Sequence, residues 1–197
     1  MSKPKILAFA GSLRAESYNK KLVKVAMEGA RKAGAEVTFL DLRDLPLPIF
    51  DEDLEKKDGL PPNARKLKDL MLAHQGFLIA SPEYNSSVSA ALKNAIDWAS
   101  RPATGPDGKP EKPLECFAGK VAGLMAASPG ALGGLRGLVH VRMILGNIQV
   151  MLLPDQVAVM KAGEAFDEKG NLKDAKQQAM VEGIGAKVTE TVRKLSA

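Results

Sequence analysis

The sequence predicts an α/β fold, a five-stranded parallel sheet in the order 2-1-3-4-5 with helices on both faces. Three observations carry that expectation. Apolar runs of strand length alternate with segments whose apolar residues recur at helical spacing, the pattern of parallel strands joined by right-handed helical crossovers. The central runs are apolar at every position, as in strands covered on both sides. Three of the runs lead into loops of unusual chemistry, which such a sheet gathers at the carboxyl ends of its strands, where the order reverses. At 197 residues one core suffices, so residues 1–197 are expected to form one domain.

The first run, Ile6-Leu7-Ala8-Phe9-Ala10, ends in Gly11-Ser12-Leu13-Arg14-Ala15-Glu16-Ser17-Tyr18-Asn19. A helix follows over residues 20–31, where Leu22, Val23, Ala26, Met27 and Ala30 share a face, and Gly34 stops it. Glu36-Val37-Thr38-Phe39-Leu40 alternates as a short strand before Asp41. Residues 44–62 contain four prolines, a glycine and many acids, which predicts a long loop without regular structure. Within it Leu45-Pro46-Leu47-Pro48-Ile49-Phe50 is apolar enough to be buried against the site or a partner chain.

Residues 63–73 read as a helix with Leu67, Leu70 and Met71 inward. The run Gly76-Phe77-Leu78-Ile79-Ala80-Ser81 reads as a central strand ending in Pro82-Glu83-Tyr84-Asn85-Ser86-Ser87. Ser89 is a natural N-cap for a helix through Trp98, with Ala90, Ala91, Ala95 and Trp98 packed. Residues 102–113 form an exposed loop by composition. Val121-Ala122-Gly123-Leu124-Met125-Ala126-Ala127 is the fourth strand and runs into Ser128-Pro129-Gly130-Ala131-Leu132-Gly133-Gly134. A helix over residues 135–145, a strand over 149–153 extended by 157–160, and a helix over 174–195 complete the chain. In that last helix Ala179, Met180, Ile184, Val188 and Val192 approach helical spacing.

The first loop concentrates the most chemistry. Entering a helix, it collects unpaired backbone amides at the positive end of the helix dipole, and Ser12, Arg14, Ser17 and Asn19 add donors, a combination that suits phosphate. Gly-x-Gly-x-x-Gly and the Walker pattern are both absent, which favours a terminal phosphate over a buried pyrophosphate. The second loop offers an aromatic ring and main-chain polar groups along which a flat heterocycle can lie; the plainer alternative is Tyr84 packed on its own helix. Gly130, Gly133 and Gly134 allow close approach to a planar ligand, or simply make a flexible turn.

Other chemistries find little footing. His74 and His140 lack zinc-ligand neighbours, no Gly-x-Ser-x-Gly elbow is present, and Cys116 has no His nearby. Asp167-Glu168-Lys169-Gly170-Asn171 is a turn, since Lys169 occupies what would be a calcium-ligand position. The net charge of +5 is interleaved with acids, which argues against nucleic acid and for small anionic ligands. No apolar run reaches membrane-spanning length, the start Met-Ser-Lys-Pro does not resemble a signal peptide, and a lone cysteine excludes an internal disulfide, so the expected compartment is the cytoplasm.

Gly11-Ser12-Leu13-Arg14 with Ser17 and Asn19, Ser81-Pro82-Glu83-Tyr84-Asn85, Leu92-Lys93-Asn94-Ala95-Ile96-Asp97-Trp98, and Gly133-Gly134-x-Arg136 together resemble the NAD(P)H-dependent FMN reductase family of flavodoxin-like proteins, especially its bacterial quinone, chromate and azo-dye reductases. The resemblance runs from residue 5 to about 160. It implies non-covalent FMN, with the phosphate among Ser12, Leu13, Arg14, Glu16, Ser17, Tyr18 and Asn19. The isoalloxazine would lie along Pro82, Glu83, Tyr84 and Asn85, with Ser128 nearby. It further implies hydride transfer from NADPH or NADH to the flavin and on to quinones, azo dyes, chromate or free flavin by a ping-pong scheme, with no catalytic side chain beyond the flavin itself. A dimer, often paired into a tetramer, is implied as well, with Arg136 near its contacts and residues 45–50 walling the flavin pocket or docking on the partner. Two alternatives remain at this point: a flavodoxin-like FMN electron carrier serving protein partners, and a phosphate-binding module without flavin.

Overall fold

Five strands, β1 (Lys5–Ala10), β2 (Glu36–Leu40), β3 (Gly76–Ala80), β4 (Val121–Ala127) and β5 (Met151–Val159), pair in parallel in the order β2-β1-β3-β4-β5, as the sequence predicts. The computed structural model describes residues 3–105 and 108–196. Pro106 and Asp107 of the expected exposed loop, and Met1 and Ser2 of the N-terminus, lie outside the described residues.

Period-two alternation divides the core. Ile6, Ala8, Ala10, Leu78 and Ala80 face α1 (Tyr18–Lys32) and α7 (Ala175–Leu195), whereas Leu7, Phe9, Phe77 and Ile79 face α3 (Pro62–Leu72), α4 (Ala90–Ala99) and α5 (Leu135–Asn147). Registers such as Ile6↔Gly76 and Leu78↔Gly123 keep the central strands level, so their carboxyl ends finish at one edge. Gly34, at φ +91°, ends the α1 turn. The Ser89 hydroxyl accepts from the Leu92 amide at 3.1 Å, and the Asp174 carboxylate accepts from the amides of Lys176 and Gln177. Among the described residues no helix is long and apolar enough to cross a membrane.

Three expectations need correction. The span 44–62 contains a helix, α2 (Glu52–Asp58), because Asp51 caps it through the Asp53 amide and Gly59, at φ +75°, closes it between the flanking prolines. The extension of the last strand is continuous with it, as expected, in β5, where Leu153, Pro154 and Asp155 bulge opposite Gly123, between the pairs Ala122↔Leu152 and Leu124↔Gln156. The packed face of α4 is Leu92, Ala95, Ile96, Trp98 and Ala99, with Ala90 outside. On α7, Ala179 and Met180 are exposed and the buried face is Val181, Ile184, Gly185, Val188, Thr189 and Val192, small residues that admit α1. The loop 102–113 is exposed at most of its described residues, as expected, and is anchored at Glu111, whose side chain is 6% exposed and pairs with Arg65 at 2.5 Å and Lys68 at 2.9 Å, two cations on α3.

The apolar segment 45–50 docks on its own α4. Pro48 O accepts from Asn94 Nδ2 at 2.9 Å and Trp98 Nε1 at 2.8 Å, and the Phe50 ring meets Trp98 edge-on at 5.0 Å. Leu45, Leu47 and Phe50 are half-buried there, while Ile49 remains 85% exposed.

Candidate functional site

The three loops singled out by sequence do meet at one edge of the sheet. The Gly11 amide donates to Ala80 O at 2.9 Å and the Ser89 hydroxyl donates to Gly11 O, which joins the loop after β1 to β3 and α4. A β-carbon on Gly11 would lie 2.8 Å from Leu92 Cβ, so this close approach requires glycine. Asn19 reaches the end of β4: its Nδ2 donates to Ala127 O and its Oδ1 accepts from the Ala127 amide, both at 2.9 Å. Gly134, at φ +93°, sits close enough to Ala126 and Glu83 to bring the third loop against the second.

The first loop presents a run of backbone donors. Among the described residues the amides of Ser12, Leu13 and residues 15–20 find no protein acceptor; the Arg14 amide donates to Ser12 Oγ at 3.3 Å, and Lys21 begins the α1 ladder. Ser17 is the N-cap by position, but its hydroxyl makes no capping bond, and no acid stands in the first turn of α1. Arg14 has no acidic partner among the described residues, and its guanidinium lies 6.0 Å from the Tyr18 ring. The exposed Glu16 carboxylate leans towards Lys21 at 3.7 Å. Leu13 is half-exposed and, with Leu42, Leu45, Leu47, Ala91 and Asn94, lines an apolar hollow of about 160 Å³ beside the loop.

The second loop is a tight reverse turn. Tyr84 and Ser87 exchange amide-to-carbonyl bonds at 3.0 and 3.1 Å around Asn85 and Ser86, whose φ values of +50° and +67° make a type I′ turn. Pro82 is buried, Tyr84 is 50% exposed, and the amides of Asn85 and Ser86 have no acceptor among the described residues. In the third loop the Ser128 hydroxyl accepts from the Gly130 amide at 3.2 Å, while its own carbonyl accepts from Ala162 N at 3.0 Å.

Of the sequence candidates, Ser12, Leu13, Arg14, Ser17, Pro82, Tyr84, Asn85 and Ser128 stand on these facing loops. Asn19 and Glu83 have side chains committed within the protein: Asn19 to Ala127, and Glu83 to Arg136 and the Gly137 amide. Burial opposes ionisation of Glu83, and the Gly137 amide and Arg136 guanidinium more than offset it, so its carboxyl titrates below the usual range. The Tyr18 ring stacks on Phe166 at 6.2 Å.

That last contact belongs to a fourth wall missed by sequence reasoning. Residues 160–166, with the short helix α6 (Ala162–Ala165), follow β5 onto the same edge, with Lys161 in a left-handed conformation at φ +47°, and a β-carbon on Gly163 would meet the Tyr18 hydroxyl at 3.4 Å. The signal was available, since a parallel β5 must end where β1, β3 and β4 end. Also unforeseen is the pair of Lys20 and Asp41 at 2.6 Å, which ties the first turn of α1 to the end of β2. Burial raises the Asp41 carboxyl, but Lys20 and the Arg43 amide outweigh it and hold the group low.

A family model described as NADPH-dependent FMN reductase matches residues 4–164. An NAD(P)H-dependent FMN reductase of Pseudomonas aeruginosa is 36% identical over 179 residues, covering 90% of this chain and 89% of that protein. An NADPH:quinone oxidoreductase of Arabidopsis thaliana is 33% identical over 175 residues, covering 86% and 82%. Among solved structures, the flavoenzyme NAD(P)H:(acceptor) oxidoreductase of Paracoccus denitrificans superimposes with a TM-score of 0.77 at 26% identity, over 97% of this chain and 98% of that one.

Proposed function

The chain belongs to the NADPH-dependent FMN reductase family, and from that premise we propose that it carries electrons from NADPH or NADH through FMN to small acceptors, quinones first, with azo dyes, chromate and free flavin as further candidates. It is an oxidoreductase that uses FMN and a nicotinamide co-substrate. The observation that carries the proposal is the run of unpaired amides at Ser12, Leu13 and residues 15–20, on a loop that converges with the Tyr84 turn and the Gly133-Gly134 loop at one edge of the sheet.

The residues present fit the cofactor. The free amides of Ser12, Leu13 and residues 15–20, the Ser12 and Ser17 hydroxyls and the Arg14 guanidinium supply the donors a phosphate monoester needs. Pro82, Tyr84 and the free amides of Asn85 and Ser86 offer an edge that can read the oxygens and nitrogens of a flat ring, while Gly133 and Gly134 let the third loop pack closely on the end of β5 and on Ala126. Ser128 shapes the third loop. Tyr18 and Phe166 form an aromatic flank to the phosphate end, and Asn19 holds the loop rather than the ligand. Leu13 and the half-buried Leu45 and Leu47 wall the crevice beside α4.

Bound FMN supplies the two-electron chemistry in this reading. The chain's own work is to fix the phosphate, keep the ring edge against preorganised amides, and leave one face open so that nicotinamide and acceptor use it in turn, which gives ping-pong kinetics. No side chain is required as a general acid or base. Association into a dimer and then a tetramer fits the exposed apolar stripe Leu132, Leu135, Val139 and Met143 that begins before α5 and runs along it, and the cytoplasm remains the proposed compartment. In this reading residues 1–197 act as one domain.

The test is reconstitution with FMN followed by NADPH and NADH oxidation against a panel of quinone, azo-dye, chromate and free-flavin acceptors. The expected result is a yellow protein whose double-reciprocal plots are parallel. A colourless protein that takes up no FMN overturns the reading, and an FMN-bound protein that oxidises neither nicotinamide restores the electron-carrier alternative. Arg14→Ala removes one charge-assisted contact, about 1.5–3 kcal/mol, so FMN affinity should fall about tenfold to a hundredfold with the melting temperature of the apoprotein unchanged. A flavin fluorescence titration measures it, and an unaltered Kd removes Arg14 from the site.

A further inference from the structure

Glu83 stands inside the loop proposed to lie along the flavin, yet its carboxylate turns the other way. Oε1 accepts from Arg136 Nε at 2.8 Å and Nη2 at 2.6 Å, and Oε2 accepts from the Gly137 amide at 3.0 Å. At the far side of the turn, Ser87 Oγ and His140 Nδ1 are 2.8 Å apart. Residues 136, 137 and 140 share one flank of the first turns of α5, so both ends of the Tyr84 turn rest on the same helix. Gly137 makes the approach possible, since a β-carbon there would lie 3.2 Å from Ser87 O and 3.3 Å from Glu83 Cβ.

The turn so held is one that a free chain seldom adopts. Asn85 and Ser86 both have positive φ without being glycine, and such conformations persist where the surroundings over-determine them. The hydrogen bonds between Tyr84 and Ser87 close the turn, but they do not say where it stands relative to β3 and β4. The Glu83 and Ser87 contacts with α5 do. The Glu83 side chain is 8% exposed, whereas that of Arg136 is 57% exposed, so the acid is the buried member and Arg136 caps it from outside.

We propose that Glu83, Arg136 and His140 are positioning residues, which act through the Tyr84–Ser87 turn to fix Tyr84 and the amides of Asn85 and Ser86 against the flavin edge. The proposal rests on the reading of that turn as the flavin edge. Loss of the clamp leaves the turn closed but free to shift, so the effect appears in the spectrum and potential of the flavin as well as in its affinity.

Glu83→Gln, Arg136→Met and Arg136→Lys test it, with FMN Kd, the visible circular dichroism of bound FMN, its reduction potential and the apoprotein melting temperature as readouts. Glu83→Gln and Arg136→Met are each expected to weaken FMN about threefold to tenfold and to alter the flavin dichroism and potential. The double variant should be no worse than Glu83→Gln alone, and Arg136→Lys should recover part of the loss. Arg136 is exposed, so its variants keep the test open should Glu83→Gln fold poorly. Wild-type Kd, dichroism and potential in Arg136→Met overturn the proposal, as does a drop in melting temperature alone. Failure of the wild-type protein to bind FMN is a different result, which removes the reading of the site itself.

Discussion

Gly185→Ala is expected to lower the melting temperature by about 6–12 °C, the equivalent of about 3 kcal/mol in a chain of this size. Gly185 on α7 and Gly29 on α1 lie where the two helices cross. A β-carbon on Gly185 would fall inside the van der Waals shell of Ala26 O and 2.7 Å from Ala30 N, and one on Gly29 would collide with Glu182 O. These neighbours are backbone atoms of a regular helix, so no side chain can rotate away and a whole helix must move. That places the cost at the upper end for overpacked sites and outweighs the gain of up to about 1 kcal/mol that alanine brings to a helix interior. Gly183 on the same helix supplies the control. A β-carbon there meets nothing within 4 Å, so Gly183→Ala should raise the melting temperature by a few degrees. Equal responses at the two positions would refute the crossing geometry.

The crossing matters to the proposed function because the same α1 that Gly185 touches starts at the loop proposed to hold the phosphate. The ion pairs Lys32 with Glu182 at 2.6 Å and Lys20 with Asp41 at 2.6 Å hold the two ends of α1. Displacing α1 therefore displaces the amides of residues 12–20, and Gly185→Ala should weaken FMN without touching it.

What could be read from the sequence, and what could not, divides along physical lines. The strands and their order were legible because Ile6 to Ala10, Gly76 to Ala80 and Val121 to Ala127 are apolar throughout, and only a doubly covered parallel sheet wants such runs. The convergence of the first three loops followed from that topology. Helix α2 was hidden because Pro46, Pro48, Pro61 and Pro62 surround it and its seven residues bury nothing, so it carries no hydrophobic period; only the Asp51 cap marks it. The bulge at residues 153–155 was not legible because Pro154 and Asp155 look like a turn until β4 is placed beside them. Side-chain destinations were the least legible. Nothing in Pro82-Glu83-Tyr84-Asn85 tells that Glu83 faces Arg136, 53 residues on, or in the first loop that the side-chain amide of Asn19 is already taken by Ala127.

Asn19 therefore carries the other large prediction, one that separates holding the loop from holding the ligand. The residue is 3% exposed, and its side chain satisfies both polar groups of Ala127, itself 4% exposed, in a two-bond bridge from the first turn of α1 to the end of β4. Asn19→Leu strands a buried N–H and a buried C=O, at about 1–3 kcal/mol each, so the apoprotein should lose about 2–6 kcal/mol and melt roughly 4–24 °C lower. Asn19→Asp keeps an acceptor for the Ala127 amide but sets a carboxylate against the Ala127 carbonyl, so it should be no milder. In both variants the first loop loses its register against the third, and FMN affinity should fall at least about tenfold. Added FMN restores less stability to them than to wild type, because stabilisation by a ligand scales with the logarithm of its concentration over Kd. Arg14→Ala gives the opposite signature, weakened FMN with an unchanged apoprotein melt. If Asn19→Leu instead behaves like Arg14→Ala, the amide side chain leaves Ala127 for the phosphate when FMN binds, and the bridge is not what shapes the loop.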